Sequence, residues 1–236
     1  MNRTRTRILI GLAVLFAAIL FLPLRLAATL IGFDDLGVTA RHASGTIWSG
    51  RMEQVRGGGF DLGTIDVGLK PLPLLLGRAS LDFQRTEGSG GEPLSGSASI
   101  GPGRRAIDAL TGAVVGGDFS GIPVERIAFE QASVVFADGQ CREASGRVTV
   151  TIGFSVAGLQ LRNGLTGELA CEGSDLKAEL VGQSGLERLI LTSDADGNYV
   201  ARLLVQSTDP VLGAALSSAG FGPTAEGFVR TMRGRF

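Results

Sequence analysis

The chain has 236 residues, a formal net charge of −1 at pH 7 and 44% hydrophobic residues, so it is long and apolar enough to bury a core. Acids and bases are interspersed, and one tryptophan and one tyrosine offer little surface for base stacking, which argues against a nucleic-acid partner. Glycine is abundant, at 36 residues, while proline is scarce, at 8, unlike disordered low-complexity chains, which are usually rich in both.

The N-terminal segment is a candidate membrane anchor. Several arginines precede the uncharged run ILIGLAVLFAAILFLPL, which ends at Arg25. A run of this length is at the short end for crossing about 30 Å of hydrocarbon, and flanking arginines can reach the headgroups. Basic residues on the N-terminal side place that side in the cytoplasm. We therefore predict a cytoplasmic tail at 1–7, a single transmembrane helix at 8–25 and an exported β-rich domain at 26–236.

A secretory signal peptide has the same charge polarity and is the alternative. Its apolar core is usually shorter, about 7–15 residues, and leads into a small-x-small cleavage site. Around Ala27 and Ala28 the third residue before the cut would be Arg25 or Leu26, which suits signal peptidase badly. A mature N-terminus near Thr29 would show cleavage. Under both alternatives the rest of the chain is exported.

After this segment, apolar and polar residues alternate with the period of two that is typical of β-strands. The alternation slips by one residue at Gly63–Thr64, which predicts a β-bulge. Asp138–Gly139 joins two alternating runs and predicts a tight hairpin, and residues 193–198 predict a second one. The pattern predicts about ten strands in a mainly β fold, a twisted, curved antiparallel sheet whose internal glycines mark bends.

Helical periodicity is confined to three short segments. Pro71 favours a helix of one or two turns in the sequence PLPLLLG. Residues 104–115 and 209–220 are longer candidates, the second with Asp209 as N-cap and Gly220 as C-cap. We therefore expect a few short helices beside the sheet.

The two cysteines, Cys141 and Cys171, lie in strand-like segments next to turns. An even number of cysteines in an exported domain predicts a disulfide. Closing a loop of about 30 residues would stabilise the fold by roughly 3–4 kcal/mol in the chain-entropy treatment. Two buried free thiols are the alternative.

The sequence offers no recognisable catalytic or metal-binding constellation. His42 is the single histidine, no G-x-S-x-G turn precedes a helix, and the glycine-rich runs lack the lysine of a phosphate-binding loop. The aspartates are scattered without calcium-loop spacing. We interpret His42 as a surface residue and expect no enzymatic activity, no cofactor and no metal.

Several motifs follow one another in a characteristic order along nearly the whole chain. A basic tail and one apolar segment precede ASGTIWSG, then LGTIDVGLKPLPLLLGRASLDF, CREASGRVTV, LTGELACEG and DADGNYVARLLVQ. The most specific parts are the G-T-x-W-x-G motif from Gly45 to Gly50 and the segment from Lys70 to Gly77. This order resembles that of the type II secretion system protein N family.

The resemblance implies an accessory component anchored in the inner membrane, with its main domain in the periplasm, that acts by contact with other type II secretion components. The family is also similar to AsmA-like proteins, whose curved sheets present an apolar face to lipid, so a periplasmic lipid-handling groove is the alternative function. A contact protein would cover one sheet face with the helices at 104–115 and 209–220. A lipid groove would leave a long apolar face uncovered.

Trp48 is predicted to lie on a strand face with Met52, where Gly45 and Gly50 leave room for the indole. It would serve either as a plug at the membrane-proximal end of the core or as an anchor for another secretion component. Together with Pro71, these residues are the candidate structural or interaction site.

Three arginines near the C-terminus are spaced at close to one helical turn: Arg230, Arg233 and Arg235. On a helix they would form a basic face, either solvated or docked on an anionic surface or an acidic partner. Exposed sheet edges also make strand addition a natural mode of contact.

Overall fold

The structure, a computed structural model, describes most of the chain from residue 38 onward and a short piece before it. Among the described residues, no helix combines the length and hydrophobicity that a bilayer crossing requires. The predicted tail and most of the predicted span at 8–25 lie outside the described residues. The described residues are 11, 21–26, 38–57, 60–85, 92–119, 122–153, 155–156, 159–160 and 164–235.

Strands account for most of the described residues. The first nine are β1 (Val38–Thr39), β2 (His42–Thr46), β3 (Ser49–Gly57), β4 (Phe60–Leu69), β5 (Ala79–Arg85), β6 (Leu94–Gly101), β7 (Arg104–Phe119), β8 (Ile122–Ala137) and β9 (Gln140–Ile152). The others are β10 (Ser155–Val156), β11 (Leu159–Gln160), β12 (Leu165–Glu172), β13 (Asp175–Gly182), β14 (Glu187–Ser193), β15 (Asn198–Val205), β16 (Gly222–Thr224) and β17 (Gly227–Arg235).

Fifteen of these strands form one sheet, in the order β1-β3-β4-β5-β6-β7-β8-β9-β12-β13-β14-β15-β17-β16, with β2 also paired to β3. The strands β10 and β11 pair only with each other. Every pairing is antiparallel, and most strands pair with the strand that precedes them in the chain. The mainly β, antiparallel fold predicted from the sequence is therefore confirmed.

The alternation in the sequence separates two faces of this sheet. Directly paired residues share a face, and one row across five strands is almost wholly apolar: Val148, Gly167, Leu180, Leu189 and Leu203. The neighbouring row carries charges on the opposite face: Arg147, Glu168, Glu179, Ile190 and Arg202. We call the apolar side the inner face and the charged side the outer face.

Two local predictions about the strands are confirmed. Asp138 and Gly139 both take left-handed φ angles, of 52° and 74°, which is the conformation of a two-residue type I′ hairpin turn. The register of β3 against β4 shifts on both sides of the Val55–Gly63 pair, so a bulge does lie at Gly63.

The predicted helix at 104–115 is wrong, because this segment lies within strand β7. The register between β7 and β8 shifts on either side of Leu110, and Ala109 has a left-handed φ of 52°. The first shift is a bulge in β7, which puts the inner-face residues Ile107 and Leu110 three positions apart, and regular alternation puts Val114 four positions after Leu110. That spacing imitates a helix in the sequence, which explains the error.

The other two predicted helices are present. Helix α1 (Pro71–Leu75) connects β4 to β5 and has no buried residue. Helix α2 (Pro210–Ser218) begins after Asp209, whose side chain accepts a hydrogen bond from the backbone N–H of Val211. Gly220, with φ 86°, follows its last turn. Leu216 of α2 is fully buried and packs in the larger hydrophobic core, which also contains Leu165 and Leu203.

The sheet curls around its inner face. Arg105 of β7 donates a hydrogen bond of 3.2 Å to the carbonyl of Ala195 in the β14–β15 turn. In a flat sheet β7 and β14 would lie five strand spacings apart, about 24 Å, which is beyond the reach of an arginine. A further pairing of Asp61 with Val115 joins β4 directly to β7. The predicted curvature is therefore present.

The disulfide between Cys141 and Cys171 predicted from the sequence is present. It links the start of β9 to the end of β12, and the two Cα atoms are 5.5 Å apart. The ladder between β9 and β12 stops at the Arg147–Glu168 pair, so the bond holds together strand ends beyond the paired segment. Both described cysteines are in this bond.

The C-terminal arginines lie on a strand, so the helical face predicted for them is wrong. Arg230 is paired with Leu203 on the inner face, and it donates a hydrogen bond of 3.1 Å to the carbonyl of Ala219 at the end of α2. Arg233 and Arg235 are on the outer face, because side chains alternate along β17. The three charges therefore do not form one surface.

Candidate functional site

The inner face lines an apolar groove of about 640 Å3 that extends along the sheet from β3 to β17. Among the described lining residues, Ser193 is the one with a polar side chain. One lining residue from each strand, in sheet order, is Met52, Ile65, Phe83, Ala98, Leu110, Phe129, Val150, Leu169, Leu180, Leu191, Leu203 and Met232. We call this cavity the groove.

The helices do not cover the groove. Neither α1 nor α2 contributes a residue to its described lining. Gly213 of α2 lies against Phe228, since a Cβ built on this glycine would be 2.7 Å from the ring, so α2 packs at the β17 margin of the sheet. The curl of the sheet itself therefore encloses most of the groove, and most of its lining residues are buried, while Ile107 remains 44% exposed.

The outer face is covered with ion pairs instead. Arg147 lies 3.3 Å from Glu130, Arg188 lies 3.1 Å from Glu179, and several longer pairs continue the series. These side chains are well exposed, so each pair contributes little to stability. Their effect is to keep the outer face in water and to leave the inner face as the apolar surface.

Arg85 closes one margin of the groove. Its side chain is 1% exposed, and it donates hydrogen bonds to the carbonyls of Glu92 (2.6 Å), Leu62 (2.9 Å) and Ala113. Burial lowers the pKa of the Arg85 guanidinium, while the carboxylates of Glu92 and Asp61 act in the opposite direction. The side chain therefore fastens β4, β7 and the β5–β6 connection where β4 meets β7.

Glu92 also forms a salt bridge with Arg126. Two hydrogen bonds from the guanidinium, of 2.8 and 2.5 Å, hold the carboxylate. The hydrogen bond lowers the pKa of Glu92 and raises that of Arg126. This pair sits beside Arg85 and completes a polar rim at that margin of the groove.

The G-T-x-W-x-G motif forms the hairpin between β2 and β3. Trp48 lies in its two-residue turn and is half-buried, so the prediction that it lies on a strand face is wrong. Gly45, which pairs with Gly50 just before the turn, takes a left-handed φ of 84° that favours glycine at this position. A Cβ there would lie 2.6 Å from the carbonyl oxygen of Ser49.

The same hairpin holds the short segment that follows the apolar run. Pro23 forms a bridge with Thr46, and the N–H of Ile47 donates to the carbonyl of Leu22 over 3.1 Å. Leu24 packs against Gly50, which has no side chain to obstruct it. Gly45 therefore allows the two strands of the hairpin to approach closely, and Gly50 leaves room for Leu24.

Trp48 borders a shallow cleft of about 580 Å3 on the outer face, with Arg51, Asp66 and Asp82 among its other lining residues. Arg51 donates to Asp66 over 2.7 Å, and this hydrogen bond lowers the pKa of Asp66. Pro71 is close in space, because the N–H of Leu69 donates to the carbonyl of Ile47 over 2.9 Å. The structure thus brings the motif and Pro71 to one end of the sheet.

Sequence reasoning did not identify Arg85 or Leu24. Arg85 ends the alternating strand β5, and this position in the sequence was a usable signal that its side chain is buried. A buried charge must be hydrogen-bonded, so the position also indicated a structural role. Leu24 gave no signal, because it is one apolar residue in an apolar run. Among the described residues, no group of three or more His, Cys, Asp or Glu side chains is placed to hold a metal ion, and His42 is exposed on β2.

The comparisons with known proteins identify the family. The profile of the type II secretion system protein N family matches residues 36–231, which include almost the whole sheet. Searches of curated proteins and of solved structures each gave no significant match. Since the match extends over well more than half of the sequence, the chain belongs to the type II secretion system protein N family.

Proposed function

We propose that this protein is a periplasmic component of the type II secretion machinery that is anchored in the inner membrane and acts by protein contact in assembly or substrate export. Its main support is the family match over residues 36–231. The Cys141–Cys171 bond fits an oxidising compartment. The apolar run at 8–24 fits a single anchor whose last residues, Pro23 and Leu24, pack on the sheet. In this role the chain acts through a binding surface and not through catalysis.

The contact surface that the fold favours is the margin of β17. Strand β16 pairs only with residues Gly227–Val229, and no described strand pairs with residues 230–235 on the side away from β15. An open edge of this kind accepts an extended segment of a partner by strand addition. Arg233 and Arg235 beside it favour an acidic segment.

Secretion itself is the first test. Deletion of the gene should reduce release of type II substrates, and a plasmid copy should restore it; unchanged secretion would refute the role. A photo-crosslinking residue at Arg233 should capture another secretion component in cells. The matched control is Arg188, an exposed arginine on the same face in the interior strand β14, which should give no adduct.

Trp48→Ala tests whether the motif serves the contact. If the variant keeps its thermal stability but assembles poorly, Trp48 is an interface residue. If thermal stability falls and assembly follows it, Trp48 serves the hairpin that holds residues 21–26.

The groove supports a second candidate function, the binding of a lipid acyl chain. An apolar cavity of this size, which no described helix lines, is much larger than a side-chain void and accepts a ligand with no polar groups along its length. An acyl chain in one leaflet extends about 15 Å, which is well within the sheet that lines the groove. The ligand's headgroup would remain outside the apolar lining.

Lipid extraction and native mass spectrometry of the purified full chain test this function. Co-purifying phospholipid should be lost in Ile107→Glu, which places a charge on an exposed position of the groove. Val200→Glu is the matched control, because Val200 is equally β-branched and exposed but lies on the outer face. Absence of lipid from the unaltered protein, or equal loss in both variants, would refute the groove.

A further inference from the structure

We propose that the segment between β4 and β5 inserts into the periplasmic leaflet of the same membrane that anchors the chain. We call its four leucines the leucine tip: Leu72, Leu74, Leu75 and Leu76. The proposal rests on the anchored, periplasmic arrangement described above and adds a second membrane contact to it. Its occupant is a phospholipid bilayer.

The leucine tip is exposed to a degree that the fold does not require. The exposed fractions of its side chains are 75%, 38%, 83% and 77%, in sequence order. Helix α1, which carries three of them, has no buried residue, so these leucines contribute almost nothing to the core. Consecutive exposed leucines at the end of a sheet are a contact surface or an aggregation hazard.

Backbone hydrogen bonds place the tip beside the end of the predicted span. Leu22 accepts from Ile47 over 3.1 Å, and Ile47 accepts from Leu69 over 2.9 Å. Pro71 begins α1 two residues after Leu69. The apolar run ends at Arg25, so only two hydrogen bonds and two residues separate the chain's exit from the membrane and the tip. Phe21, which is also exposed, lies at this same end.

The residues around the tip have the chemistry of a membrane interface. Arg78 follows it and Lys70 precedes it, with Lys70 in an exposed ion pair with Asp82 over 2.8 Å, so basic side chains flank the apolar residues on both sides, as they do in segments that bind anionic headgroups. Trp48, in the adjacent turn, is the residue type that is enriched at headgroup level. The position of the tip directly beside the end of the predicted span places it at the membrane surface, which favours a bilayer as its occupant.

Insertion would fix the orientation of the sheet. Leu69 pairs with Leu81 at the base of the connection, and Val67 and Leu81 line the groove. With both the anchor and the tip in one leaflet, the β4–β5 end of the groove would rest on the membrane surface. The opposite end, where α2 lies, would point into the periplasm.

Depth-dependent quenching in proteoliposomes tests the proposal with the full-length protein. A fluorophore is attached to Leu75→Cys, and the matched control is Val211→Cys, a 72% exposed apolar residue on α2 at the other end of the strands. Vesicles contain phosphatidylethanolamine and phosphatidylglycerol with a phospholipid brominated near the headgroup or deep in the chain. Interfacial segments lie about 5–10 Å below the headgroup boundary, so the shallow bromines should quench the Leu75 label more than the deep ones. The Val211 label should not respond.

Each other outcome overturns the proposal and shows where it failed. If the chain floats with the vesicles but the Leu75 label is not quenched, the anchor stands and the tip is free of the membrane. If quenching at Leu75 and Val211 is equal, the contact is unspecific. A Leu75 label that is shielded only after other secretion components are added indicates a protein contact. If the chain does not float with the vesicles, the anchored arrangement itself is wrong.

Discussion

Leu24 occupies the space that a side chain on Gly50 would need: a Cβ built on Gly50 would lie 2.6 Å from Cδ2 of Leu24. Leu24 is buried in a cluster with Met52, Val55 and Ile65, and these last three also line the groove. The residue that ends the apolar run is thus packed directly on the core of the sheet. Movement between the predicted span and the sheet is limited by this contact.

Gly50→Val should destabilise the protein by about 1–3 kcal/mol, because the new side chain would collide with Leu24 and with backbone carbonyls of Thr46 and Ser44. Thermal unfolding of the purified protein measures the loss. Gly222→Val is the control, since a Cβ there meets only one atom, at 3.8 Å, and the change should stay within about 0.5 kcal/mol. Equal effects of the two changes would contradict the packing.

Arg85→Met should cost about 3 kcal/mol or more, because it leaves three backbone carbonyls in a buried site without their donor. Chemical denaturation gives the free energy of unfolding. Arg188→Met removes an exposed arginine with one surface ion pair and should cost less than about 1 kcal/mol. A loss at Arg85 no larger than at Arg188 would show that the buried guanidinium is not holding β4, β7 and the β5–β6 connection together.

Reduction of the disulfide between Cys141 and Cys171 should lower the free energy of unfolding by roughly 3–4 kcal/mol, the value for a closed loop of this size. The double variant Cys141→Ala, Cys171→Ala should reproduce the effect and should no longer respond to reductant. Unfolding curves in urea with and without dithiothreitol make the comparison. Overlapping curves for the unaltered protein would contradict the prediction.

The salt bridge between Glu92 and Arg126 should make stability fall in acid. The hydrogen bond from Arg126 holds the pKa of Glu92 below its ordinary value of 4.5, so the folded state favours the ionised carboxylate. This contribution is complete above pH 4.5 and is lost as the pH falls through the lower folded-state pKa. Because both side chains are well exposed, we expect about 1 kcal/mol at most.

Glu92→Gln checks this pH dependence. Its melting temperature should fall less than that of the unaltered protein between about pH 5 and pH 3, since the variant has no carboxylate to protonate at this position. Identical slopes for the two proteins would show that the pair does not contribute.

The sequence was sufficient to predict the strands of the sheet and its curvature. It was not sufficient to predict which distant strands come into contact when the sheet curls. Local signals such as Asp138–Gly139 and the slip at Gly63 predicted the turn and the bulge correctly, because each is fixed by the φ preference or phase of a few residues. Residues 104–115 were misassigned because one bulge in β7 puts Ile107 and Leu110 three positions apart, and the regular step of four to Val114 then completes a helix-like spacing. Alternation cannot reveal how many extra residues a strand carries.

The sequence predicted individual residues of the candidate site but not how the fold brings them together. The motif around Trp48 and the pair Cys141–Cys171 were selected from the sequence, but Trp48 proved to lie in a turn rather than on a strand. The groove depends on contacts such as Arg105 with Ala195, which join residues 90 positions apart. Such contacts follow from the twist accumulated over many strands, and no short segment encodes them.

Because most strands pair with the strand before them in the chain, the number of strands sets the length of the groove. From β7 to β9 each strand adds to the one before it, so a hairpin inserted at either of these turns would move the later strands outward without changing their partners. A hairpin inserted between β4 and β7 would instead break the direct pairing of Asp61 with Val115. One hairpin adds two strands and would lengthen the groove by about 10 Å. The length of the groove can therefore grow or shrink in hairpin steps while the Leu24 attachment and the packing of α2 keep their own contacts.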